Sequence, residues 1–224
     1  GELALDGVAL QVPLMSWLTC ATNTEQRETT ADALAALVIC GSRQLAGVPK
    51  PVGMKLMIKL GQVSCADVGA SAATAGPSSA SLGGEEALRA LVRALGSSVF
   101  DELPLLWKSI SMPVKAPPGR SLPDAAALSY ANAFHMAGVC APALPECLHV
   151  AHAHPLISAA MACVSHPIAP IRSEAIRYLA STAACGALRN YTMAEVHLKL
   201  AAILGDAGDA VARRGAAAAV AAVV

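Results

Sequence analysis

Residues 167–184 read PIAPIRSEAIRYLASTAA. The opening prolines suit the first turn of a helix, where a fixed φ helps and a missing N–H costs nothing. With Ile171 as origin, Ala175, Tyr178, Leu179 and Thr182 fall within about one third of the circumference at ~3.6 residues per turn. Ser173, Glu174 and Arg177 fall on the opposite side. Arg172 sits on the flank, where its stem can pack and its guanidinium can reach a neighbouring helix pair.

The stretch has a second copy. Residues 163–179, CVSHPIAPIRSEAIRYL, align with 203–219, ILGDAGDAVARRGAAAA, at an offset of 40 residues. Ile171 falls on Val211, Ala175 on Gly215, and the turn SHPIAP on GDAGDA. The copy has Ala212 at the place of Arg172 and moves its arginines to Arg213 and Arg214, which project away from the stripe. They are candidate partner contacts, against the plainer reading of a solvated face. A weaker third copy, NTEQRETTADALAAL at 23–37, sets Arg27 on Arg172 and Leu34 on Leu179.

A period near 40 residues, built of helix, turn and helix, is the signature of HEAT or armadillo-type repeats. The expected fold is all-α: antiparallel helix pairs, each with a face it cannot bury alone, stacked into a solenoid.

Composition agrees with helix. The chain has 224 residues, 55% hydrophobic and only 3% aromatic. Alanine, the best helix former, dominates, and β-branched and aromatic alternation is missing. It begins on Gly1 and stops inside GAAAAVAAVV, so it reads as a segment of a larger array. Sixteen basic residues balance sixteen acidic ones, which argues against a nucleic-acid-binding domain. Seven scattered cysteines, none in C-x-x-C, read as buried thiols of a reducing compartment, nucleus or cytosol. No apolar run is long enough to span a membrane.

Along the chain, a first helix is expected over 8–22 and a second over 24–44, capped by Asn23 or Thr24 and ended by Gly47 and Pro49. A third runs over 51–63, so residues 1–65 form helical repeats. Residues 66–84, ADVGASAATAGPSSASLGG, hold few large apolar anchors and read as a flexible linker or long loop. Repeats resume over 85–224, interrupted by a Pro-rich loop at 112–123. Trp107, in LPLLW, is expected in the core between repeats.

The chemistry-bearing residues give little. His149, His152 and His154 follow Cys147, but on a helix His154 turns away from His152, and no acid completes an H-E-x-x-H pattern. They read as helix histidines rather than a metal site. Cys140 and Cys147 share a face only if the helix continues through Pro142 and Pro145, which argues against a redox pair. No phosphate loop and no G-x-S-x-G elbow occurs, so no catalytic or cofactor-binding residue is assigned.

Three elements in succession carry a resemblance: L-P-x-L-W at 103–107, P-x-x-x-[IV]-R-x-x-A at 167–175, and D-x-V-x-x-x-G-A at 209–216. In this order they resemble the HEAT-repeat region of the TATA-binding-protein-associated factor family, over residues 84–224 and more loosely over 14–65. Members are transcription regulators with a C-terminal SNF-type ATPase motor, which uses ATP to strip the TATA-box-binding protein from DNA. The resemblance implies a nuclear, non-catalytic scaffold segment with the TATA-box-binding protein and its own ATPase domain as partners. ATP and magnesium would belong to that motor, and DNA would be met only through the parent complex. A generic HEAT adaptor for transport, phosphatase or translation complexes is the alternative.

Overall fold

The computed structural model describes residues 7–45, 48, 50–69, 77–205 and 209–223. All regular structure among them is helical. The chain divides into two compact units, 1–67 with 71–108, and 68–70 with 109–224.

The first unit contains α1 (Gly7–Cys20), α2 (Thr24–Ser42), α3 (Lys50–Ser64), α4 (Ser79–Leu95) and the short α5 (Val99–Glu102). The boundary falls inside α6 (Pro104–Ser111). Asn23 starts α2: its backbone is extended and its side chain accepts from the Glu25 N–H at 2.9 Å. Gly47 and Pro49, expected to end that helix, lie outside the described residues. α2 and α4 lie against one another, and each also packs on α1 and α3. Leu18, Leu34, Leu60, Leu88 and Leu91 fill the space between them.

Within the expected linker at 66–84, one part is helical. Residues 79–84 are the first turns of α4, and Gly83 and Gly84 are buried. A Cβ on Gly83 would lie 2.5 Å from the Leu18 carbonyl oxygen, and one on Gly84 would lie 2.4 Å from the Ser64 nitrogen. Ser81 Oγ donates to the Ser64 carbonyl at 2.9 Å, and the Ser78 N–H donates to Asp67 at 2.7 Å. The small residues that read as too weak to order instead let α4 approach the ends of α1 and α3. Residues 70–76 lie outside the described ones. Trp107 also departs from expectation: it is half-buried and rests on Phe100, with ring centroids 4.9 Å apart.

The second unit contains α7 (Asp124–Cys140), α8 (His154–Cys163), α9 (Ala169–Ala184), α10 (Gly186–Gly205) and α11 (Ala210–Val223). The Pro-rich segment 112–123 is non-helical, as expected. Between α7 and α8 the chain makes two 3-10 turns and a π-helical turn, so no single helix joins Cys140 to Cys147. α9 is central, packing on α7, α8, α10 and α11, and α10 packs on α8 and α11 as well. Each helix meets its neighbour in the chain and the next but one. α7, α9 and α11 thus alternate with α8 and α10.

α9 and α11 bury residues at a common spacing, one residue off the sequence alignment. In α9 the buried positions include Glu174, Ala175, Tyr178 and Thr182; in α11 they are Gly215, Ala216, Ala219 and Val223. Glu174 therefore corresponds to Gly215, an offset of 41 residues rather than 40. α2 repeats the pattern with Thr30, Ala31, Leu34 and Val38. Val211, aligned with Ile171 in sequence, is 45% exposed because it lies one residue off this face.

Glu174 is the second correction to the helical-wheel reading. It is buried, with Oε2 lying 3.3 Å from His135 Nδ1 and 3.7 Å from Arg177 Nη1. A polar residue entered the inner face because α7 supplies a histidine opposite it.

A candidate arginine-bearing partner surface

His135 and Gly138 of α7 meet Glu174 and Tyr178 of α9 in the same order, and Gly215 near the start of α11 lies beside Arg172 near the start of α9, so the N-termini of α7, α9 and α11 share one edge of the second unit. The loops that lead into them meet there. His166, in the loop before α9, accepts from the Ile168 N–H through Nδ1 at 3.2 Å. Its Nε2 therefore carries the proton and donates to the Gly119 carbonyl at 3.0 Å. One imidazole thus fastens the Pro-rich loop to the turn before α9.

Arg172 secures the same turn. Its Nη1 donates to the carbonyls of His166 at 2.6 Å and Pro167 at 3.3 Å. Arg27, the fourth residue of α2 as Arg172 is of α9, donates to the Ala21 carbonyl at 3.3 Å, the same six-residue reach. Arg172 was expected to bridge to a neighbouring repeat. Only its stem does so: a Cβ on Gly215 of α11 would lie 3.2 Å from Arg172 Cδ. The guanidinium stays with the loop before its own helix.

Asp209 caps α11, accepting from the Val211 and Ala212 N–H groups at 2.9 and 3.0 Å. These N–H groups, Ala212 first, with Arg120 and Arg213 nearby, hold its carboxyl below the usual range. Arg120 and Arg213 thus each act on the Asp209 carboxylate. Arg120 and Arg214 are exposed and Arg213 is half-buried. Arg213 and Arg214 were candidates from sequence; Arg120 was not, because its place at this edge rests on tertiary bonds such as His166–Gly119. Asp124, the first residue of α7, is exposed at the same edge. Planar guanidinium groups in this setting suit carboxylates of an acidic partner surface.

Gly215 sets how closely α11 docks beside this edge. A Cβ there would lie 1.8 Å from the Val164 carbonyl oxygen, a backbone atom that no rotamer change can move. Gly215→Ala is expected to undock α11, with a net loss of about 2 kcal/mol despite its better helix propensity. Faster amide exchange confined to residues 210–223 is the measurement; unchanged exchange would show that α11 tolerates the methyl.

The histidines after Cys147 diverge. His149 Nε2 donates to the Leu144 carbonyl at 3.1 Å, whereas His154 stacks on Tyr191 with ring centroids 3.7 Å apart. Burial, with His149 nearby, lowers the His154 pKa. Among the described residues, no group of His, Cys, Asp and Glu is arranged to hold a metal ion. Cys140 is buried and Cys147 exposed. No helix among the described residues is long and apolar enough to cross a membrane. No protein-family model matches this chain, and neither does any curated protein.

Proposed function

We propose that this chain is a non-catalytic HEAT-type scaffold that holds protein partners on the edge bearing Arg120, Arg213 and Arg214. The observation that supports it is the alternating packing of α7 to α11, with one pattern of buried positions recurring 41 residues on. Such a unit offers extended edges and a face for further stacking. The likeness of residues 103–107, 167–175 and 209–216 to the TATA-binding-protein-associated factors then names the partner: the TATA-box-binding protein. In that reading the segment is nuclear and couples the partner mechanically to an ATPase motor elsewhere in the parent protein. ATP, magnesium and DNA contacts belong to that motor.

The test is capture of purified TATA-box-binding protein by this chain and by its full-length parent. Binding to both is expected, with Arg213→Glu/Arg214→Glu weakening it about tenfold or more by reversing charge at the contact. Capture by the parent alone would move the grip elsewhere and leave this segment a spacer. Failure of both would remove the family reading and favour the generic adaptor.

A further inference from the structure

α1 carries no charged residue along its whole length, GVALQVPLMSWLTC. Its inner side, Met15 and Leu18, is buried. Its outer side is not polar in compensation: Val12 is 77% and Trp17 63% exposed, with Pro13, Ser16 and Cys20 exposed beside them. Positions 12, 13, 16, 17 and 20 make one continuous helical face. Isolated apolar residues on a surface need no explanation, but a stripe containing tryptophan does.

The C-terminal end of this stripe, Trp17 and Cys20, forms one wall of a groove. A cleft of about 640 Å³ is lined by Trp17, Cys20 and Ala21 on one side and by Glu25, Gln26 and Thr29 on the other. Glu25, which lines the groove, begins an exposed acidic row on α2 that continues through Glu28 and Asp32 at three- and four-residue spacings. Two cations face the same ground. The Arg27 guanidinium is held by the Ala21 carbonyl, and Arg93 lies 4.0 Å from Asp32. Glu25 shares the groove lining with Trp17, and Glu28 is exposed one turn further along α2. The occupant needs an apolar ridge flanked by lysine or arginine.

α3 of the same chain has that form. Its sequence, KPVGMKLMIKLGQVS, holds three lysines and no acid. Leu56, Met57 and Leu60 are buried, while Met54 is 38% and Ile58 44% exposed. Lys55 and Lys59 are exposed alongside, one residue further on. Met54 with Ile58, and Lys55 with Lys59, are each four apart, giving an apolar ridge with a parallel basic one. α1 and α3 both rest on α2 and α4, which occupy the middle of the unit.

We propose that the α1–α2 groove of one molecule receives α3 of a second copy. Met54 and Ile58 lie on Val12 and Trp17, and Lys55 and Lys59 face Glu25 and Glu28. The two surfaces differ, so the contact is heterologous and leaves a groove free at one end and an α3 free at the other. A single helix of 15 residues, about 22 Å long, covers less than a standard interface. The association is therefore weak, with a dissociation constant on the order of 100 µM.

Sedimentation velocity of the full 224-residue chain from roughly 10 to 500 µM, a range that brackets that affinity, is the test. Concentration-dependent association is expected, weakened about tenfold by Trp17→Ala, as for other buried aromatic anchors. Glu25→Lys/Glu28→Lys and Lys55→Glu/Lys59→Glu should each remove it, and an equimolar mixture of the two should restore it. All three variants change exposed residues, and their circular dichroism melts verify the fold. A monomer throughout the range would overturn the proposal. So would association that ignores these variants, or a mixture that stays monomeric.

Discussion

Gly83→Ala/Gly84→Ala is expected to destabilise the first unit by about 2 to 4 kcal/mol, a large part of a typical domain's stability. Two effects compete. Alanine in place of a mid-helix glycine gains about 1 kcal/mol in propensity. Against that, the added methyl groups would sit 2.5 Å from the Leu18 carbonyl and 2.4 Å from the Ser64 nitrogen, both backbone atoms. Relief requires α4 to move off α1 and α3, and this also breaks the Ser81–Ser64 hydrogen bond. Overpacking against a rigid neighbour typically costs about 1–3 kcal/mol per site, so it wins over propensity. Gly205→Ala is the control, since its Cβ would meet nothing within 4 Å. That substitution should be neutral or slightly stabilising. Urea unfolding of both variants decides: a pair of stabilised proteins would mean that α4 does not approach this closely.

These glycines also mark where sequence reading stops. Helix positions were legible from local chemistry: Asn23 before α2, the prolines before α9, the Pro-rich break at 112–123. The all-helical class followed from alanine content and the lack of alternation. What local pattern cannot express is a residue chosen by a partner far away in the chain. Ser81, Gly83 and Gly84 looked like linker because small residues bury little surface, yet they are small because α1 and α3 pass beside them. Glu174 looked solvent-facing because it is charged, yet His135, 39 residues earlier, receives it. The 40-residue alignment falls one residue short of the common buried spacing for a related reason. Matching Ile171 to Val211 rewards apolar identity, whereas the buried face is kept by Gly215, Ala216 and Ala219, whose size rather than hydrophobicity fits the contact. Arg120 reached the arginine edge through a histidine-to-carbonyl bond that no motif announces.

Tyr178→Ala is expected to cost about 4 kcal/mol and to abolish the cooperative transition of the second unit, while Tyr178→Phe costs about 1 kcal/mol. Tyr178 is 1% exposed and among the largest fully buried side chains of the chain. It projects from α9, the helix against which α7, α8, α10 and α11 all rest. Its ring lies 6.2 Å from that of Phe134 on α7, and its hydroxyl donates to the Ala153 carbonyl at 3.1 Å, at the end of the π-helical turn before α8. Alanine would leave a cavity beside Phe134 and remove the hydroxyl bond together, whereas phenylalanine removes only the bond. Burial pushes the phenol well above its usual pKa, so the hydroxyl remains a donor at any pH where the protein is folded. Stacked helices share their faces, so a void at the centre of α9 is felt by the helices on both sides. Urea melts followed by circular dichroism separate the two variants. If Tyr178→Phe were as damaging as Tyr178→Ala, the hydroxyl bond to Ala153 rather than ring packing would hold α8 to α9. If neither lowered stability by more than 1 kcal/mol, α9 would not be the centre of the unit.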